Sequence, residues 1–356
     1  MRRTQLSIAN YLLLLLLSQL CFAKESLAEE PALKVCTTTP DLAALVREIG
    51  GRSVDVVSFT KGAQDPHHLE ARPSFIRRLK DADLFVQVGL GLEVGWAPVL
   101  LRSARNSETR PGSEGFLDVS MVISPLGVPE QEVDRSHGDV HAEGNPHYLL
   151  DPLNGLKVAR VLRDRLIALR PGAKGELESN YDKFRTQLLS LLLGDRLPKV
   201  YVGERLDKLL KLLEKGGPKR FLEFLDSQGQ RPDLGGWLAL ASPYLGAKVI
   251  SDHDLWLYLG RWVGIDVQSY LEPKPGISPT TKHLAHVIRT VKAQKISVIL
   301  SAPYFDPRHA NFVSRHTGAQ VVAMAHQVGA REGADSYLRM LDYNARRLVA
   351  AFGGGQ

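Results

Sequence analysis

Short β-branched runs and amphipathic stretches follow one another along most of this chain. "ALKVCTTT" (32–39) reads as a strand. In the next stretch, "TPDLAALVREIGG", residues Leu42, Leu45, Val46 and Ile49 recur at i, i+3, i+4 and i+7, which is one face of a helix. Thr39 and Pro40 open that helix and Gly50-Gly51 closes it. "SVDVVSFT" is a second strand. A loop through "KGAQDPHHLEARPS" follows, then a short helix, the strand "DLFVQVGL" and a helix from about Glu93 to Ser103. This βαβαβ order predicts a parallel sheet covered by helices.

The second half repeats the order. "AKVISD" is a strand and "HDLWLYLGRWVG" a helix; "IDVQSY" is a strand, and "SPTTKHLAHVIRTVKAQ" a helix with Leu284, Val287, Ile288 and Val291 on one face. "ISVILSA", a helix from Pro307 to Thr317, "AQVVAM" and the final helix "ADSYLRMLDYNARRLVAAF" complete it. The pattern therefore predicts an α/β protein of two lobes, each a mainly parallel sheet flanked by helices. "LESNYDKFRTQLLSLLLG" has no Gly or Pro until Gly194 and predicts one long helix joining the lobes. The expected boundaries are an N-terminal lobe over 32–172, the linking helix over 173–197 and a C-terminal lobe over 237–356. Between the last two, residues 198–236 fit neither lobe and predict a helical insertion broken at Gly-Gly-Pro.

Composition narrows the class. At 356 residues, 24% charged and 44% hydrophobic, the chain has enough material for about two soluble domains. The net charge is +6, of which residues 1–28 supply +2 (Arg2, Arg3 and Lys24 against Glu25). The remainder is spread without a dense basic patch interleaved with aromatics, which argues against nucleic acid as a partner. Residues 1–28 themselves show the order of a secretory signal: two arginines, an apolar run with six consecutive leucines, then small residues at Ala23 and Ala28 where cleavage is expected. The apolar run from Tyr11 to Ala23 is short for a membrane span. Leu20, before Cys21, is bulky where a lipoprotein signal has a small residue, so a periplasmic protein without a lipid anchor is expected. Cys36 then remains without a disulfide partner, in an apolar strand where a buried, inert thiol is expected.

The candidate chemistry lies in the histidines, 11 in all. His67 sits in the loop after "SVDVVSFT", His253 directly after "AKVISD" and His326 two residues after "AQVVAM"; His147 precedes the helix that begins near Asp151-Pro152. In open α/β sheets, ligands collect where loops leave the carboxyl ends of the strands. Two histidines per half can converge in one cleft if the lobes face each other, and imidazole is a good Zn²⁺ ligand. A loop histidine is about as readily a solvated or capping residue. The prolines before His67 and His147 suit a preformed site and an ordinary turn equally. His68, His283, His286, His309 and His316 read as surface residues. No H-E-x-x-H pairing and no G-x-S-x-G elbow support the rival class, a secreted zinc hydrolase, and no Walker A pattern is present.

Four stretches resemble the cluster A-I solute-binding proteins, the metal-capturing subunits of zinc and manganese ABC importers. They are "DPHHLEARPS" (65–74), "GNPHYLLDPLN" (144–154), "VISDHDLWLYLGRWVGI" (249–265) and "GADSYLRMLDYNARRLVAAF" (333–352), in family order. The resemblance implies a metal held in the inter-lobe cleft and no catalytic activity. The implied metal ligands are His67, His147 and His253. It also implies a transported divalent metal, with an ABC permease and its ATPase in the inner membrane as partners; a monomeric chain is expected, and Zn²⁺ is the expected ligand on the donor chemistry that follows. Matching "AHQVG" (325–329) to the family's last ligand loop puts His326 where a carboxylate usually stands, with Asp335, Glu332 or a water as alternatives. Imidazole in that place favours zinc over manganese. A manganese carrier or a metal-dependent adhesin shares the same fold. His137 and His141 lie in a short acidic loop and read as an accessory pair near the cleft mouth, feeders or merely solvated.

Overall fold

The computed structural model describes residues 30–129, 141–273 and 277–353; the expected leader and His137 lie outside them. Among the described residues there are two four-stranded sheets with all pairings parallel. The first contains β1 (Leu33–Thr37), β2 (Val54–Ser58), β3 (Leu84–Gln87) and β4 (Phe116–Asp118), in the order β2-β1-β3-β4. The second contains β5 (Lys248–Ser251), β6 (Asp266–Tyr270), β7 (Val298–Ser301) and β8 (Gln320–Ala323), in the order β6-β5-β7-β8. Each sheet is covered on both faces, which is why the strands read as near-continuous apolar runs. Val35 of β1 points into one core and its neighbour Cys36 into another, with Phe59, Phe85 and Trp96; Val249 and Ile250 of β5 divide in the same way. Cys36 is buried, and burial pushes its thiol up to about 12, so it is an inert packing residue.

β4 is absent from the sequence expectation because it has only three residues, of which Leu117 alone is buried. The long helix runs Lys174–Leu193 and packs on the helices Pro152–Leu169, Pro40–Gly50 and Gly236–Ala241. The segment 204–227 is helical with one break, at Gly217 (φ 69°), and Pro218 restarts it.

The inner faces of both sheets feed one continuous apolar core. Val35, Leu84 and Val86 from the first belong to the same cluster as Val249, Val298 and Leu300 from the second. Polar bonds fix the lobes across that core. Asp151 caps the helix Pro152–Leu169 through the Leu153 N–H (2.7 Å) and also takes the Arg261 guanidinium (2.6 Å). Tyr337 donates its hydroxyl to the Leu149 carbonyl (2.7 Å) and Trp262 its indole N–H to the Leu150 carbonyl (2.9 Å). The Gln327 amide donates to the carbonyls of Lys61 and Gln64 (2.8 and 3.0 Å), and the Val328 N–H donates to buried Asp41 (2.6 Å).

The two backbones approach closely at Gly62 and Gly329: a Cβ on Gly62 would stand 2.1 Å from the Gly329 carbonyl carbon. Gly62→Ala is therefore expected to destabilise the metal-free protein by about 1–3 kcal/mol, the usual cost of overpacking. Gly175→Ala, where a Cβ meets nothing within 4 Å, serves as the neutral control in the same denaturant titration. Equal midpoints for the two variants would contradict the close approach.

Candidate metal centre

The loop ends of both sheets converge on one group of imidazoles. His67 follows β2 and is held at both ends of its side chain and backbone by Asp65. The Asp65 carboxylate accepts the His67 N–H (3.0 Å) and lies 2.7 Å from Nδ1. The preceding carbonyl, of Pro66, accepts the Trp96 indole N–H (3.1 Å), which ties this loop to the outer core of the first sheet. Burial alone would raise the Asp65 carboxyl, but the hydrogen bonds and charge of His67 outweigh it and hold the group below its ordinary value. Asp65 thus stays an acceptor on Nδ1, which leaves Nε2 of His67 free to present its lone pair.

His147 stands at the head of the short turn Tyr148–Leu150, its N–H donating to Asn145 Oδ1 (2.9 Å). Asn145 also donates from Nδ2 to the Asp254 carbonyl (2.5 Å), while the Tyr258 hydroxyl donates to the Asn145 carbonyl (3.1 Å). These bonds bind the His147 loop to the segment carrying His253. The His253 carbonyl in turn accepts the Ser251 hydroxyl (2.7 Å) and the Leu255 N–H (2.8 Å) at the end of β5. His67 and His147 have ring centroids 5.3 Å apart in an edge-to-face arrangement.

His326 follows β8 and is 4% exposed. Its Nε2 lies 3.1 Å from the Gln64 carbonyl and its ring stands edge-on to Tyr304 at 4.7 Å. The carbonyl contact makes Nε2 the protonated nitrogen, and Nδ1 is buried without a hydrogen-bond partner. A buried lone pair with no donor is costly in a static fold and suited to a cation. The two alternative carboxylates are elsewhere: Glu332 is exposed, and Asp335, 64% exposed, is paired with Arg339 at 3.0 Å.

His141, expected near the cleft mouth, instead lies inside the group. Its ring stacks on His67 at 5.1 Å, with the two Nε2 atoms 3.1 Å apart. His68 is exposed, while His309 is half-buried 3.9 Å from Glu272 and is not the surface residue expected. As the rings stand, no three His, Cys, Asp or Glu side chains among the described residues form a group that could hold a metal ion. A cavity of about 860 Å³ between the Gly217 break and β6 contains none of these histidines.

Burial and neighbouring rings lower three of these histidines. Burial, followed by the neighbouring rings of His67 and His253, lowers His141 to about 4. Burial also lowers His326 to about 4 and, with His67, His141, His253 and His326 adding to it, takes His147 well below the ordinary histidine range. Two positive charges at the Nε2–Nε2 separation would repel by about 5 kcal/mol at an effective dielectric of 20. At neutral pH these three rings are bare nitrogen donors, the form a metal ion requires.

Two parallel sheets with imidazoles gathered at their carboxyl ends define a two-lobed α/β protein with a candidate metal centre. The sequence profile described as "ZnuA: Zinc-uptake complex component A periplasmic" matches residues 35–192 and 239–351, and the chain belongs to this family, whose members are transport subunits and not enzymes. The zinc-binding lipoprotein AdcA of Streptococcus pneumoniae is 21% identical over 89% of this chain, which spans about half (55%) of AdcA. The manganese ABC transporter substrate-binding lipoprotein PsaA of Streptococcus anginosus is 22% identical over 89% of this chain and 88% of its own length. The fold is shared with the crystal structure of ZnuA (TM-score 0.64, 20% identity, 90% of this chain and 99% of that one). It is also shared with a Mn-bound periplasmic metal-binding protein of Candidatus Liberibacter asiaticus (TM-score 0.61, 18% identity, 88% and 97%). Both named relatives are lipoproteins, so the expectation that set lipid attachment at Cys21 aside is not borne out.

The depressed rings give a signed pH dependence. A histidine lowered from 6.5 to about 4 by burial contributes stability above 6.5 that is lost as the pH falls toward 4. Asp41, Glu93 and Asp252, raised by burial from 3.8, 4.5 and 3.8 to about 7, act in the opposite sense, their contribution declining as the pH rises through 7. The difference between wild type and His326→Gln isolates the ring. Between pH 7 and pH 5 the melting temperature of the metal-free variant should change less in the direction of acid loss; parallel curves would show that the ring is not held neutral.

Proposed function

We propose that the chain captures Zn²⁺ outside the cytoplasm at His67, His147 and His253, with His326 as a further imidazole donor. It then delivers the ion to a membrane permease driven by a separate ATPase. The observation that carries this reading is the donor set. Imidazoles converge from both lobes, whereas Asp65, a carboxylate close to the group, is engaged on the Nδ1 side of His67. Mn²⁺ prefers hard oxygen ligands, and a nitrogen-rich, buried shell suits Zn²⁺. The relatives named above bind zinc or manganese at nearly equal identity, so the choice of metal rests on the donors and not on likeness.

The test is calorimetric titration of the metal-free protein with Zn²⁺ and with Mn²⁺ at neutral pH. One Zn²⁺ per chain, bound at least tenfold more tightly than Mn²⁺, is the expected result. Single replacement of His67, His147 or His253 by Ala should weaken zinc binding by a hundredfold or more. Tighter binding of Mn²⁺, or full zinc affinity in any of the three variants, would contradict the assignment.

A further inference from the structure

The geometry points to His141 as a ligand of the same ion as His67, and not as an accessory residue at the cleft mouth; we propose that the two Nε2 atoms share it. This rests on the reading of the site as a metal-capture centre. The first observation is the distance: 3.1 Å between the two Nε2 atoms. Two nitrogens bound to one ion at about 2.0–2.1 Å lie roughly 2.9–3.3 Å apart, from the five-coordinate shell that His141 would complete to a tetrahedral one without His326, so the pair closes on an ion with little movement.

The second observation concerns which nitrogens carry protons. Nδ1 of His67 faces the Asp65 carboxylate and is therefore its N–H donor. The Leu90–Gly91 turn lies on the Nδ1 side of the His141 ring, Nδ1 being 3.4 Å from where a Cβ on Gly91 would stand, so we place the proton of that ring on Nδ1, toward the Leu90 backbone. With both protons placed on Nδ1, each Nε2 offers a lone pair to the other. Two acceptors face to face repel unless a cation lies between them.

The backbone that fixes this arrangement is itself unusual. Leu90 has φ 51° between Gly89 (φ 80°) and Gly91 (φ 79°), a left-handed conformation that a leucine adopts only at a cost. That turn supplies the acceptor for His141. On the other side, the Gly144 N–H bonds the His141 carbonyl (3.1 Å), so the chain turns between His141 and His147 and presents both rings to His67. An outer acceptor on each ring, Asp65 for one and Leu90 for the other, is the arrangement that orients metal-bound imidazoles.

The experiment compares the wild type with His141→Ala, His141→Cys and, as an exposed control, His68→Ala. Zinc affinity is measured by competition with a chelator, and the zinc shell by X-ray absorption. His141→Ala should lose at least tenfold in affinity while His68→Ala keeps the wild-type value. In His141→Cys, in a background with Cys36→Ser and with the native circular dichroism spectrum retained, a sulfur scatterer should appear at about 2.3 Å. Unchanged affinity in His141→Ala together with a sulfur-free shell in His141→Cys would overturn the inference. Failure of the wild type to bind zinc would instead overturn the reading of the whole site.

Discussion

Burial of several imidazoles beside a single carboxylate, Asp65, is the constraint on which this centre depends. His326 is almost inaccessible, and His141 and His147 are pressed against other rings, so desolvation makes the protonated forms expensive. Ordinary buried polar groups are satisfied by partners; here the Nδ1 of His326 has none, and the Nε2 atoms of His67 and His141 face only each other, 3.1 Å apart. A protein retains such an arrangement only where the surrounding structure over-determines it.

That over-determination comes from both lobes. One apolar core runs between the sheets, and the bonds from Gln327 to Lys61 and Gln64 and from Val328 to Asp41 cross beside the histidines. Arg261 against Asp151 and Tyr337 against Leu149 cross on the helix side. Asp151 illustrates the balance: burial raises its carboxyl even with the guanidinium in contact, so the pair positions the helix heads more than it adds stability.

Much of this was legible in the sequence because parallel strands buried on both faces carry dense β-branched runs. Seven of the eight strands of the described residues follow from those runs, while β4, with one buried position, leaves no periodic trace. The expected strand ends put His67, His253 and His326 in the loops after β2, β5 and β8, where they lie, and the Asn-Pro-His turn put His147 ahead of the helix Pro152–Leu169. The position of His141 was not legible. It depends on the chain turning at Gly144 and on a left-handed Leu90, a conformation no leucine advertises. The available signal was its spacing of six from His147 across a glycine, which a turn brings onto one side. The exposure of Asp335 and Glu332 was equally hidden, since both lie in a loop where a carboxylate ligand fits the family pattern.

The most direct test of a buried, nitrogen-only capture site is anomalous diffraction at the zinc edge from crystals grown with one equivalent of Zn²⁺. A single peak within bonding distance of His67, His147 and His253, with no carboxylate oxygen in the shell, is the expected result. A peak at another place, or one coordinated by carboxylates, would contradict it.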